Sequence, residues 1–386
     1  MLSHIAEYLT ANSLSEDSFP LRLHSPGRIN IIGEHTDYTG GWVMPAAIDK
    51  GIEFYARPIT GKALRLHAVD LNKNYNFPLP VTGKTGELWV DYLAGVAEQF
   101  QQLGHEIPAL EIVFGGNVPR GSGMSSSAAL EGGMAFLLNE VLTAGLTRPE
   151  LAQLSQRSSN EFIGVPTGIM DQFASLNGSA EGPILLNCDS LNFEPISAEV
   201  PGYRWLLVNS MVTHELGSSE YPLRVAECQE ALEALQRVFP ELEKLSHASP
   251  DQLEAVIDDL RPVVRKRASY VINENIRVRQ MAQALQSGDV ATAGRLLNKT
   301  HQGLRDDFQV SCEEVDLLQF LATENFRGQV AGARIMGGGF GGCTINLVKE
   351  KEVNFLKAFL KKSYREAYDK IPEFYEVKIG AGTNWL

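Results

Sequence analysis

Residues 117–130 constrain what this chain can fold into more than any other stretch. Gly121 and Gly123 stand one residue apart, Ser125, Ser126 and Ser127 follow, and apolar helix formers begin at Ala128. Glycine permits a tight turn that brings backbone N–H groups close to a ligand. The helix behind it leaves its first N–H groups unpaired, with a partial positive charge at that end. The pattern predicts a phosphate cradle built from Gly121, Ser122, Gly123, Met124, Ser125, Ser126 and Ser127, with hydroxyls that also suit a hydrated Mg²⁺. A capped helix N-terminus after a glycine turn is the plainer alternative, but one serine cap would do, and three serines with two glycines exceed that need.

Two better-known nucleotide motifs fail on this chain. Gly83-Lys84-Thr85 ends like a P-loop, but Pro78 stands where that motif needs glycine. Gly337, Gly339 and Gly342 satisfy G-x-G-x-x-G, which in a dinucleotide site must open a helix. Residues 343–348 are instead short and β-branched, as in a strand. The second match therefore predicts a glycine-rich connection between two strands, either a plain tight hairpin or part of a site.

At 386 residues the chain is long for one core, so two domains are expected, with a boundary near residue 200. A net charge of −13 argues against a nucleic-acid partner, although it leaves room for a locally positive site. The four cysteines are far apart, without the spacing of a zinc site. The N-terminus lacks the basic and apolar blocks of a signal peptide, and no apolar run approaches the ~20 residues that span a bilayer. A soluble cytoplasmic protein without membrane attachment is expected.

In the first half, residues 27–32, 52–57, 63–68 and 110–114 read as strands. Residues 127–142 read as a helix whose interior Gly132 and Gly133 predict close approach of another backbone. Thr147 and Glu150 have capping-box spacing ahead of a helix reaching about Phe162. Residues 184–187 and 205–208 are further strands. Beyond them Tyr221, Val225, Cys228, Leu232, Leu235 and Val238 recur as one buried helix stripe. Helices follow over 267–285, 290–297 and 313–323, the last with a capping box from Ser311 and Glu314. Residues 353–368 are helical, and 376–379 form a last strand.

Residues 25–41 gather Glu34, His35, Thr36 and Asp37 on one turn in an apolar setting. Carboxylates accept hydroxyl protons and histidine donates or accepts, so the turn suits a sugar whose hydroxyls must all be paired. A solvated loop after an edge strand is the plainer alternative. Asp171 is a lone acid in an apolar run marked by Gly164, Pro166 and Gly168. It is either a helix cap or a functional group held away from water. Phosphoryl transfer needs a carboxylate near the acceptor hydroxyl and cations on the phosphates, which makes Asp171 and Arg28 the candidates.

In this order, residues 27–38, 121–129 and 337–343 resemble the galactokinases of the GHMP small-molecule kinase family, and the likeness extends to residues 168–172 and 218–222. The resemblance implies a two-domain α+β fold of mixed sheets and packed helices, with the site in the interdomain cleft. One domain would span 1–200 and the other 201–373, with a final strand in 374–386 returning to the first. It further implies ATP-dependent phosphorylation of the galactose C1 hydroxyl. Glu34, His35, Asp37, Gly168 and Tyr221 would bind the sugar, together with Thr36 on the same turn. Asp171 would accept the anomeric proton, and Arg28 would steady the developing charge. Residues 121–127 would hold the ATP phosphates, with Ser127 on Mg²⁺, and the 337–342 hairpin would join the site.

One position departs from the family. Its members usually carry a metal-binding glutamate twelve residues before the aspartate, and this chain has Ser159 there. Glu161 lies two residues on, about 200° around a helix, so it does not simply replace it. A kinase for N-acetylgalactosamine, or a silent sugar sensor on the same fold, are the competing expectations; a sensor is expected to be damaged in the Ser125–Ala129 part of the loop, which is complete here.

Overall fold

The computed structural model describes residues 1–119, 121–197, 200–212 and 220–386. Strands β1 (Leu21–Asn30), β3 (Pro45–Pro58), β4 (Ala63–Ala68), β5 (Lys73–Pro78), β6 (Leu110–Gly116) and β13 (Asn384–Trp385) form a six-stranded mixed sheet in the order β13-β1-β3-β6-β4-β5. All its pairings are antiparallel except β4 with β6. A small sheet joins β2 (Trp42–Val43), β7 (Ile184–Asn187) and β8 (Phe193–Pro195). Strands β9 (Tyr203–Asn209), β10 (Val330–Ile335), β11 (Cys343–Lys349) and β12 (Glu373–Glu376) make an antiparallel sheet in the order β10-β11-β9-β12.

Strand β1 is buried along its second half, and its register against β3 shifts between Pro26 and Arg28. Such a bulge re-aims the following side chain. Gly27 drops out of the ladder, and Arg28 N–H bonds Met124 O at 3.0 Å. A Cβ at Gly27 would sit 2.7 Å from that carbonyl, so glycine is what lets the loop at 121–127 approach the strand.

Helix α1 (Ser3–Ala11) touches β6, α2 (Leu88–Gln102) reaches β5, α3 (Ser126–Val141) and α5 (Met170–Asn177) pack on β1 and β3, and α4 (Arg148–Arg157) lies against α3 and α5. The Thr147–Glu150 capping box forms as expected, and a wider π-type turn over Ser158–Ile163 continues α4. Gly133 does pack closely, but against the Phe54 ring, and Gly132 faces Leu176 and Ser175 side chains. The expected backbone contact is absent because the sheet presents side chains to α3.

In the second half, α6 (Glu220–Val238), α7 (Pro250–Val256), α8 (Pro262–Gln286) and α9 (Val290–Gln302) precede α10 (Glu313–Asn325) and α11 (Val353–Tyr368). Val238, expected in the buried stripe of α6, is exposed, while Arg224 and Glu227 are buried. Arg267 accounts for this, because it bonds Glu227 at 2.8 Å inside the helical cluster. The Ser311 cap does not form. Ser311 Oγ donates to Asp316 at 2.5 Å, leaving Cys312 as an N-cap without a side-chain bond.

Strand β12 pairs with β9 in the second sheet. The chain crosses back only afterwards, with an Ile379–Ile48 bridge and then β13 on β1. Residues 374–376 thus belong with the second sheet, where Phe374 packs against Val208. One core cluster, with Ile29, Ile31, Met44, Val278, Leu297 and Ile345, is shared by both halves. It holds the first turn after β1 against α8 and the second sheet. No helix among the described residues is long and apolar enough to cross a membrane.

Candidate active site

A cavity of about 540 Å³ opens above that shared core, within the usual size range of small-molecule sites. The loop at 121–127 forms one wall, the turn after β1 another, and Tyr221, Gly337 and Gly338 close it from the second half.

Gly121, Gly123 and Ser125 all take positive φ, and Ser125 is the N-cap of α3. Its hydroxyl makes no cap bond and donates instead to Asp171. The N-terminal amides of α3 are therefore left without a side-chain cap, which is the arrangement that binds an anion. Ser122 and Met124 are buried, so their contribution to the wall is backbone; Ser122 Oγ donates to Pro119 O at 2.5 Å. Ser126 is exposed, and Ser127 is half-buried with its hydroxyl against Tyr92 of α2. Arg120 lies outside the described residues.

Asp171 stands in the first turn of α5, both a helix-terminus acid and a cavity-facing group. Arg28 grips it with a two-pronged pair, Nε to Oδ1 and Nη2 to Oδ2, each 2.7 Å. Nη1 of Arg28 donates to Gly123 O, so one guanidinium fastens the phosphate loop to the carboxylate. With Ser125 also on Oδ2, that oxygen is saturated. Among the described residues Oδ1 accepts only from Arg28, which leaves one acceptor site for a further hydroxyl.

The turn after β1 is ordered by its own polar groups. Glu34 Oε1 accepts from Arg334 Nη1 and from Gly337 N–H, each at 2.9 Å, and both residues of the ion pair are fully buried. His35 Nε2 lies 3.2 Å from Gly338 O, and a carbonyl only accepts, so Nε2 carries the proton. Nδ1 then accepts from Tyr38 at 3.1 Å. Burial pushes His35 down to about 4, which keeps the ring neutral. Thr36 does not line the cavity. Its hydroxyl faces Gly33 O and Trp42 O at 3.0 and 2.8 Å, which makes it a brace of the turn. Burial, with the charge of Asp171 behind it, pushes Asp37 up to about 7. A Cβ at Gly168 would overlap the Asp37 carboxylate, so only glycine fits there. Tyr221, the second residue of α6, packs its ring 5.5 Å from His35 and meets the Gly168 N–H with its hydroxyl. Ser218 and Ser219, beside it, lie outside the described residues.

This constellation has relatives. A family model described as "Galactokinase galactose-binding signature" matches residues 16–58, and one described as "GHMP kinases N terminal domain" matches residues 91–179. A galactokinase of Thermotoga neapolitana is 39% identical over 366 residues, 94% of this chain and 99% of that protein. The chain belongs to the galactokinase family. A galactokinase of Roseiflexus is 36% identical over 93% of this chain and 91% of its own length. The crystal structure of a Lactococcus lactis galactokinase complexed with galactose superposes with a TM-score of 0.92 at 34% identity, covering 99% of this chain and 98% of that one. A Methanococcus jannaschii mevalonate kinase, at TM-score 0.63 and 18% identity, shares the fold.

Within this galactokinase fold, several residues at or behind the cavity wall escaped the sequence reading. Leu88 and Tyr92 come from α2, whose apolar spacing Val90, Leu93, Val96, Ala97 and Phe100 was there to be read. Glu131 is fully buried one turn beyond Ser127, where it accepts from Ser159 Oγ at 2.6 Å and Gln172 Nε2 at 3.2 Å. Burial pushes its carboxyl up to about 8, those two hydrogen bonds pull the other way, and a cation nearby would do the same. A lone acid in an apolar helix was its signal. Ser159 lines the cavity. Glu161 is exposed and pairs with Gln99, so it supplies no replacement for the family's glutamate.

Proposed function

We propose that the protein transfers the γ-phosphoryl group of ATP to the C1 hydroxyl of α-D-galactose. The single observation that carries this reading is the Arg28 fork, which ties the phosphate loop through Gly123 and the acceptor carboxylate Asp171 into one rigid unit. Phosphoryl transfer depends chiefly on such positioning and on charge stabilisation.

The anomeric hydroxyl of galactose is placed on the remaining acceptor site of Asp171 Oδ1. Asp37, held between the Tyr38 and Met170 amides, and Oε2 of Glu34 take other sugar hydroxyls, while Tyr221 covers the ring. His35 has both nitrogens committed to Tyr38 and Gly338, so it shapes the wall between sugar turn and hairpin. The backbone of 121–127 and the N-terminus of α3 receive the phosphates. Arg28 balances the charge that develops as the proton leaves the hydroxyl.

Among the described residues, the groups at the phosphate end that could meet a cation are oxygens. Ser127 Oγ and Ser159 Oγ face the cavity, and Gln172 Oε1 is buried without a hydrogen-bond partner among the described residues. That set fits Mg²⁺, which prefers oxygen, keeps much of its water and binds largely through substrate phosphates. Ser127 would hold it, and bound there it would neutralise charge on the β- and γ-phosphates.

Phosphorus NMR of the product tests the reading. An α-linked phosphate at C1, formed only with ATP and galactose together, is the expected result. A phosphate at C6, or ATP loss independent of sugar, would overturn it.

A further inference from the structure

Ser159 is the point at which this chain leaves its family's pattern, and the structure shows what surrounds it. Ser159 Oγ donates its only proton to Glu131 Oε1 at 2.6 Å and accepts a long bond from Gln172 Nε2 at 3.5 Å, so what it keeps for the cavity is one lone pair. Glu131 comes from a different helix, α3, one turn beyond Ser127. Gln172 fixes the other carboxylate oxygen at 3.2 Å, and its own Oε1, buried beside them, has no partner among the described residues. Tyr92 of α2, close to Glu131, meets the Ser127 hydroxyl. A carboxyl group, which the resemblance places at residue 159, is thus present, set one hydroxyl further back.

We propose that Ser159 and Glu131 act together as the missing metal-site carboxylate. Ser159 Oγ accepts a hydrogen bond from a water on the Mg²⁺ of MgATP, and Glu131 stands behind the hydroxyl and fixes its orientation. A serine is shorter than a glutamate, and the space it gives up is filled by that water, which Mg²⁺ releases reluctantly. Both residues are positioning residues, since neither touches the metal. The inference rests on the kinase reading of the cavity.

Titration of Mn²⁺ into the protein with ADP, with free Mn²⁺ followed by EPR, reads the site without turnover. Ser159→Ala and Glu131→Gln are each expected to weaken Mn²⁺ binding by roughly 10- to 100-fold, the range for groups that orient metal ligands. Galactose affinity by calorimetry stays at the wild-type value. The double variant is no weaker than the weaker single one, because the two residues act as one unit. Ser159→Glu placed on Glu131→Gln restores the affinity, and exposed Glu161→Gln leaves it unchanged. Wild-type Mn²⁺ affinity in both single variants, or losses that simply add in the double, would overturn the inference; Ser159→Ala decides alone if the Glu131 variant does not fold. A wild-type protein that binds no Mn²⁺–ADP and phosphorylates no galactose would remove the kinase reading itself, a distinguishable outcome.

Discussion

Asp171 illustrates how hydrogen-bond accounting narrows a chemical role. Among the described residues, Arg28 and Ser125 take three of its four acceptor sites, which leaves one for substrate. Asp171→Asn should lower kcat by at least ~10² while galactose still binds, because an amide neither takes the proton nor pairs with Arg28. Near-normal turnover would remove Asp171 from the mechanism. Asp37 gives a second handle. Its carboxyl, raised to about 7 by burial and by Asp171, must be ionised to accept sugar hydroxyls. Galactose affinity should therefore fall as pH drops through about 7, approaching roughly tenfold per unit below it. The same shift makes this group's contribution to folding stability decline as pH rises from the ordinary carboxyl value to about 7, since the folded state holds the proton longer. Calorimetry across that range should show the affinity step in the wild type and none in Asp37→Asn; a flat wild-type profile contradicts the assignment. Gly168→Ala should abolish galactose binding, since the added methyl takes the space of the Asp37 carboxylate.

Among the elements, the Glu34–Arg334 pair matters most, because it joins the turn after β1 to the strand that leads into the glycine hairpin. Arg334 also donates to Ile31 O at 2.8 Å and is fully buried. Arg334→Met should cost about 3–5 kcal/mol, the usual penalty for leaving a buried charge unpaired. Urea unfolding measures it, and a loss under 1 kcal/mol would show the pair to be dispensable. Much at this scale was legible: β4 and α11 lie where their residue patterns put them, and so does the hairpin between β10 and β11. What was not legible had specific causes. Whether the hairpin was a spare turn or a wall depended on Glu34, 303 residues away, reaching the Gly337 amide. The absent Ser311 cap turned on a competing acceptor at Asp316, and the late return of the chain to the first sheet on the pairing of β12 with β9. Such outcomes are set by tertiary partners that local spacing does not encode.

For the molecule as a whole, the cavity needs both halves of the chain, and the core shared by Ile29, Ile31, Val278 and Ile345 keeps them in register. The site residues read from motifs converge on this cavity, Thr36 excepted, because the glycine and serine patterns encode backbone geometry directly. Ser159 reaches it too, with Glu131 buried behind it, but their partnership across two helices exists only in the folded chain. Selectivity also belongs to this scale. A cavity that pairs the axial C4 hydroxyl of galactose leaves buried groups unpaired when glucose inverts that centre, at about 1–3 kcal/mol for each group. A coupled assay of ATP turnover with galactose and with glucose tests the central claim most directly. The account predicts MgATP-dependent turnover with galactose, a kcat/KM for glucose at least ~10-fold lower, and loss of both in Asp171→Asn; equal turnover of the two sugars, or none with galactose, would contradict it.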